Sequence, residues 1–157
     1  MIGLLLLPVI SCNEPVASNV ASAPDPRLEA GLVLSDSTPV IGETVDVYAR
    51  VSSAMPSLVA SFTARIRYDT TALRYQQELP IGDGALRATN ATAGLVRFAG
   101  VAAHGLPDGQ LAAHRFVVLR GNSLRSLQLV VDEMHTVTRT DAANQLRIVS
   151  ARTRGAP

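Results

Sequence analysis

The sequence predicts an all-β fold, an antiparallel β-sandwich of about nine strands. Three observations support this prediction. From Arg27 onward, apolar and polar residues alternate with a period of two in short segments. Gly, Pro, Asn and Asp separate these segments, as is typical of turns. No segment repeats apolar residues at i, i+3, i+4 and i+7, the spacing of an amphipathic helix. Segments with one apolar and one polar face fit two sheets packed face to face.

The first strands have the clearest pattern. Residues 28–35 predict the first strand, 38–43 a turn and 44–51 the second strand. One face of the second strand is apolar and carries Val45, Val47, Ala49 and Val51. The opposite face carries Thr44, Asp46, Tyr48 and Arg50. Such strict alternation predicts a half-buried strand whose apolar face lies in the core.

Residues 58–68 alternate as cleanly and predict the third strand. Its inward side carries Leu58, Ala60, Phe62, Ala64, Ile66 and Tyr68. Its outward side carries Val59, Ser61, Thr63, Arg65 and Arg67. Further strands are predicted at 73–78, 85–91, 94–101, 110–120 and 126–133. In the last of these, the residues that should point inward are Leu127, Leu129 and Val131. Residues 134–139 and 144–151 predict a closing hairpin around 140–143.

Length and composition fit one domain with short appendages. The chain has 157 residues, of which 47% are hydrophobic, enough for one core and too many for global disorder. The net charge of +1 predicts no strong attraction to nucleic acid or to an anionic membrane. We therefore expect no nucleic-acid partner, and membrane contact only through a lipid anchor.

The N-terminal residues predict export. Residues 1–11 form an apolar run that is too short to span a bilayer and is typical of a signal peptide. The letters VISC, which end at Cys12, resemble a bacterial lipobox and imply cleavage and acylation at Cys12. No basic residue precedes the run, so an ordinary secretory signal with an incidental cysteine stays open. In a Gram-negative organism, Asn13 in place of Asp favours the outer membrane.

The composition between Cys12 and the strands predicts a tether. Residues 12–26 combine Pro with Asn, Ser and Ala, and such a segment stays extended and solvated. The sandwich domain is predicted at 27–152, and residues 153–157 are predicted to form a disordered tail. We expect an exported domain that a lipid holds to the cell envelope.

The chain contains no recognisable catalytic motif. It has neither a G-x-S-x-G elbow nor a Ser-His-Asp arrangement. The histidines His104, His114 and His135 lack the spacing of metal ligands, and His114 is interpreted as a sheet residue. Asp132 and Glu133 are interpreted as a solvated strand end, with a calcium site as the alternative. We predict that the protein is no enzyme, with no catalytic residue, no metal and no cofactor.

Four segments resemble, in order, those of a cohesin domain. GETVDVYARV (42–51) is similar to the family's early G-x-x-V-x-V-x-V strand, and ARIRYDTTALRY (64–75) resembles its Y-D-x-x-x-L corner. ATNATAGLVRFAGV (88–101) is similar to its Asn-rich loop before a G-x-V-x-F strand. LPDGQLAAHRFVVL (106–119) resembles the G-x-L-x-x-x-x-F-x-V strand that follows. The resemblance covers about residues 28–151.

This resemblance implies a nine-stranded sandwich with jelly-roll topology and protein recognition through one sheet face, without catalysis. In cohesins the strand before the Tyr-Asp corner contributes to the dockerin-binding face. Carried over to this chain, it implies that the partner-binding residues are Ser61, Thr63, Arg65 and Arg67; the alternative is an ordinary solvated sheet face. We expect a single module that neither a dockerin nor a catalytic domain accompanies. The expected partner is therefore a dockerin-like module or another exported protein.

The Tyr-Asp corner is interpreted as a structural turn. We expect Tyr68 to face the core and Leu73 to return to it. The Asp69 carboxylate can accept a backbone N–H two or three residues along the chain and so close the turn. Asp69→Ala should then lower the melting temperature.

Two further functions stay open at this point. Polysaccharide binding normally uses exposed aromatic platforms, and Tyr48 is the one aromatic residue predicted to face outward in a well-alternating strand. Because the sequence has no Trp, such a platform would be poor. A structural spacer in an envelope assembly is the other alternative.

Overall fold

The computed structural model describes residues 28–52, 58–138 and 140–153. These residues form nine β-strands in two sheets, which confirms the predicted all-β sandwich with jelly-roll topology. The strands are β1 (Glu29–Leu34), β2 (Thr44–Ser52), β3 (Val59–Arg67), β4 (Leu73–Glu78), β5 (Leu86–Thr92), β6 (Leu95–Val101), β7 (Gln110–Val118), β8 (Gln128–Thr136) and β9 (Arg147–Thr153). The five-stranded sheet has the order β4-β7-β2-β1-β9, and the four-stranded sheet has the order β5-β6-β3-β8.

The core lies between the two sheets, where the alternation of β2 places it. Val45, Val47 and Ala49 are fully buried, as predicted for the apolar face of this strand. Phe116 of β7 is fully buried as well, and its ring packs edge-on against Tyr68 at a centroid distance of 5.2 Å. One continuous apolar layer therefore connects the five-stranded sheet with the corner that follows β3.

The start of β3 differs from the predicted alternation. Val59 was expected to face outward but is 1% exposed, whereas Leu58 was expected inward and is 37% exposed. Val59 pairs with Thr136 and Ser61 with His135, so Ala60 is an extra residue in β3, a β-bulge. The bulge shifts the side-chain phase by one position. The predicted phase holds from Phe62 onward.

The predicted closing hairpin is wrong. β8 continues through Thr136, and the chain reverses in a tight loop in which the Thr136 N–H donates to the carbonyl of Thr140 at 3.0 Å. The next strand, β9, then joins the other sheet and pairs in parallel with β1. The free edge of β1 offers unpaired N–H and C=O groups, which β9 satisfies. This is the one parallel pair among the strands of the described residues, and the other pairs are antiparallel as predicted.

No helix among the described residues has the length and hydropathy that crossing a lipid bilayer requires.

Candidate protein-binding face

The outward side of the four-stranded sheet forms one surface, which we call the outer face. Its strands pair in a register that places their outward residues in four rows across β5, β6, β3 and β8. The first two rows are Leu86-Val101-Ser61-His135 and Ala88-Ala99-Thr63-Glu133. The last two rows are Asn90-Arg97-Arg65-Val130 and Thr92-Leu95-Arg67-Gln128. All four predicted partner-binding residues of β3 thus lie on this one face, one in each row.

The β5 and β6 residues of the first two rows are all apolar and form what we call the apolar end of the outer face. Leu86 and Val101 are direct cross-strand neighbours, yet they are 76% and 56% exposed. Ala88 and Ala99 lie beside them in the second row. A shallow depression of about 390 Å³ covers both rows. Exposed apolar side chains that adjoin each other in this way are typical of a contact surface.

Gly100 lies on the inward side of β6, beneath this apolar end. The Phe62 ring packs against its backbone so closely that a Cβ at position 100 would lie 2.5 Å from the Phe62 Cζ atom. Phe62 is itself 3% exposed and contacts Phe98 edge-on at 6.3 Å. The absence of a side chain at Gly100 therefore lets an aromatic core layer lie directly beneath Val101 and Leu86.

The last two rows form a basic end of the outer face. Arg65 and Arg97 are direct neighbours on β3 and β6, and Arg67 lies two residues beyond Arg65. Like charges placed opposite each other destabilise a sheet unless a counter-charge offsets them. Asp132 offsets one of them, since its Oδ1 lies 2.8 Å from Arg65 Nη1. Within the described part of the chain, Arg67 and Arg97 make no ion pair.

A second bulge places Asp132 for this contact. Thr63 pairs with Glu133, but the next residue, Ala64, pairs with Val131, so Asp132 is the extra residue of β8. The extra residue projects its carboxylate towards Arg65. Asp132 and Glu133 therefore lie within β8 and not at the predicted strand end, and the Asp132 carboxylate binds a guanidinium. The residues that the structure describes also contain no group of three His, Cys, Asp or Glu side chains placed to hold a metal ion.

Sequence reasoning missed Leu86, Arg97 and Val101 as candidate residues. In β5 the inward residues include Arg87 and Thr89, so no apolar side marks the phase of this strand. In β6 the inward positions carry Val96 and Phe98, both buried. The alternation of β6 was therefore a usable signal, because it leaves position 97 and position 101 outward.

The corner after β3 connects the outer face to the core. The Asp69 Oδ1 atom accepts hydrogen bonds from the Thr71 N–H at 2.8 Å and the Thr71 hydroxyl at 2.7 Å. These bonds, together with Arg120 at 3.1 Å from Oδ2, lower the pKa of the Asp69 carboxyl below its ordinary value. The Tyr68 hydroxyl donates to the Thr92 carbonyl at 3.3 Å, and Leu73 is fully buried.

His114 lies in the core, away from the outer face. Its side chain is fully buried between the rings of Phe98 and Tyr75, at centroid distances of 5.3 and 5.9 Å. Neither ring nitrogen has a hydrogen-bond partner within the described residues. Burial lowers the pKa of His114 from 6.5 to about 4, because a charged imidazolium would lose its hydration there. His114 is therefore a neutral core residue at physiological pH.

The comparisons with known proteins agree with this architecture. No protein-family model matches the chain. No curated protein matches it either. Solved structures do match. The sixth cohesin of scaffoldin B from Acetivibrio cellulolyticus, in complex with a dockerin mutant, has a TM-score of 0.61 at 13% identity, over 80% of this chain and 99% of that chain.

Two further solved structures extend the similarity beyond that protein. The type II cohesin A11 from Bacteroides cellulosolvens has a TM-score of 0.58 at 10% identity, over 80% of this chain and 99% of that chain. A non-cellulosomal cohesin from the archaeon Archaeoglobus fulgidus has a TM-score of 0.55 at 14% identity, over 80% of this chain and 88% of that chain. The chain therefore has the cohesin fold.

Proposed function

We propose that this protein is a non-catalytic module that binds a protein partner through its outer face. The observation that carries the proposal is the pairing of Leu86 with Val101, two largely exposed apolar side chains on adjacent strands. A contiguous exposed apolar patch that polar residues surround is a mark of a protein–protein contact site. The cohesin fold supports the same function, because two of the matched structures are complexes with dockerin modules by name.

The partner that we propose is a dockerin-like module or another exported protein. Its contacts on β3 are Ser61, Thr63, Arg65 and Arg67, and β5 and β6 add Leu86, Arg97 and Val101. Thr63 and Arg67 are exposed, whereas Ser61 and Arg65 are half-buried. A face of this kind offers area and hydrogen-bond donors without a deep cavity, as protein partners require.

We also propose that the module is held to the cell envelope by a lipid on Cys12. The VISC sequence supports this proposal. Cys12 and the tether lie outside the described residues. Mass spectrometry of the mature N-terminus tests the anchor. We expect an acylated cysteine as the first residue, and a peptide that retains residues before Cys12 would contradict cleavage there.

Carbohydrate binding receives less support from the same surfaces. The four rows of the outer face contain no Tyr, Phe or Trp, so a sugar ring would find no aromatic platform there. Tyr48 lies on the opposite, five-stranded sheet and is half-buried. Binding on a glycan array that Tyr48→Ala abolished would favour a carbohydrate-binding module instead.

Affinity capture tests the proposed face. The chain, immobilised through a C-terminal tag, should retain a defined protein from the exported proteins of the source organism. Val101→Glu should abolish this capture, because it places a charge in the apolar end. Val40→Glu is the matched control, since Val40 is 65% exposed in the loop before β2, a strand of the other sheet. Capture of nothing above background, or equal loss with both variants, would count against the proposal.

A further inference from the structure

The outer face is polarised along its strands. Its apolar end, which contains Leu86 and Val101 in the first row, occupies the β5 and β6 positions of the first two rows, and its guanidinium groups occupy the third and fourth rows. Successive rows are two residues apart, or about 7 Å, because a strand rises about 3.4 Å per residue. The apolar pair therefore lies about 14 Å from the Arg65–Arg97 row and about 20 Å from Arg67.

The basic end carries an excess of charge that the described residues do not neutralise. Three guanidinium groups, of Arg65, Arg97 and Arg67, face one carboxylate, that of Asp132, which leaves two positive charges. The other carboxylate of the face, Glu133, lies in the second row beside Thr63, at the β8 edge. Arg67 and Arg97 are both exposed. Unpaired arginines at a contact surface favour a partner that brings carboxylates in matching positions.

We propose that the occupant of the outer face is a protein surface that carries an apolar side chain together with carboxylates about 14 to 20 Å away from it. The apolar side chain fills the depression between Leu86 and Val101, and the carboxylates bind Arg97 and Arg67. On a helix laid along the strands, that separation corresponds to about nine to thirteen residues. This inference rests on the proposed function, since it assigns partner chemistry to the same face.

A library selection tests the proposal while the natural partner is still unidentified. The probe is a displayed library of a helical scaffold with randomised surface positions, selected on the immobilised chain. Helices that bind should be enriched in Asp and Glu at one end and in Leu, Phe or Met at the other. Their affinity should fall at least about tenfold on Arg67→Glu/Arg97→Glu, because like charges then face each other. The same selection on that double variant should enrich Lys and Arg instead.

Controls separate the partner chemistry from the existence of the site. Arg74→Glu is the matched control, since Arg74 is an exposed arginine of β4 on the other sheet, and it should leave the affinity unchanged. Binders that Val101→Glu abolishes but that show no carboxylate enrichment would overturn this inference and leave the proposed function intact. Binders that map only to the other sheet, or none, would overturn both. A different result would assign the face to an acidic glycan. In that case polygalacturonate would retain the protein, the Arg67→Glu/Arg97→Glu variant would not be retained, and the selection would enrich no helix.

Discussion

Asp83 and Arg87 form a bidentate ion pair inside the sandwich, with two hydrogen bonds of 2.6 Å. The side chain of Asp83 is 6% exposed and that of Arg87 is 8% exposed. Arg87 also donates to the carbonyl oxygens of Leu111 and Gln110, at 2.8 and 2.7 Å. One buried guanidinium thus ties β5 of the four-stranded sheet to β7 of the five-stranded sheet. It also holds Leu86, its chain neighbour, at the apolar end of the outer face.

Asp83→Asn should lower the free energy of unfolding by about 3 kcal/mol, because it leaves a buried guanidinium without its counter-charge. Urea denaturation measures the loss. Arg147→Leu is the control: Arg147 is 77% exposed and lies 3.7 Å from Glu29, so its removal should change the free energy by less than about 0.5 kcal/mol. Equal losses in both variants would show that the buried pair has no special role.

Stability should fall in mild acid because of His114. Its pKa drops from 6.5 to about 4 on folding, so between these values the unfolded chain binds a proton that the folded chain excludes. The contribution of His114 to the free energy of unfolding has its full value above pH 6.5, and about 3 kcal/mol of it is lost as the pH falls to 4. His114→Leu should remove this decline, whereas the exposed His104→Leu should keep the wild-type profile. Chemical denaturation at pH 7, 5.5 and 4 measures it, and an unchanged profile in His114→Leu would contradict the assignment.

A second loss of stability should follow at lower pH. The hydrogen bond from Arg87 is the largest cause that holds the pKa of Asp83 below its ordinary value of 3.8. A depressed carboxyl pKa stabilises the fold above pH 3.8, and this contribution is lost as the pH falls through the folded-state pKa. In the His114→Leu variant, acid unfolding should therefore begin only below about pH 4. Adding Asp83→Asn should remove the part of the loss in unfolding free energy that comes from protonation of Asp83.

The parts of the fold that were predictable from the sequence are those set by local alternation. The phase of β2 was readable because Val45, Val47 and Ala49 all lie on its buried side. β5 gave no such signal, because its inward side uses Arg87, a buried charge that pairs with Asp83 and with two carbonyl groups of the distant strand β7. The pairing of β9 with β1 was also not predictable from the sequence, since it depends on which sheet edge is free after the other strands have paired.

In the candidate site, too, the residues of one strand were predictable from the sequence, whereas their neighbours on adjacent strands were not. Ser61, Thr63, Arg65 and Arg67 share one face because β3 pairs regularly with β6 after the bulge at Ala60. Their neighbours Leu86 and Val101 joined them only through cross-strand register, a non-local property that two bulges in the β3–β8 pairing also modify. Alternation within one strand identifies a face, but the composition of that face depends on its partners.

Asp69→Ala should lower the melting temperature, because it removes both hydrogen bonds that Thr71 makes to the carboxylate. Arg120→Ala removes only the exposed ion pair at 3.1 Å, so it should lower the melting temperature much less. Asp69→Asn is the informative intermediate, since its amide oxygen can still accept the Thr71 N–H. Thermal denaturation followed by circular dichroism compares the three variants. An Asp69→Ala protein that melts with the wild type would rule out a role of this carboxylate in closing the corner.

Gly100→Ala should destabilise the protein by about 1 to 3 kcal/mol, as overpacking of a core does. The added Cβ would lie 2.5 and 2.6 Å from two carbons of the Phe62 ring and 3.3 Å from the Leu86 carbonyl oxygen. Because the ring is the obstacle, Phe62→Leu should relieve part of the cost, so the double variant should be more stable than the sum of the two single losses implies. Gly121→Ala is the control, since a Cβ there meets no atom within 4 Å. Urea denaturation of the four variants measures the coupling, and strictly additive losses would show that Gly100 and Phe62 do not depend on each other.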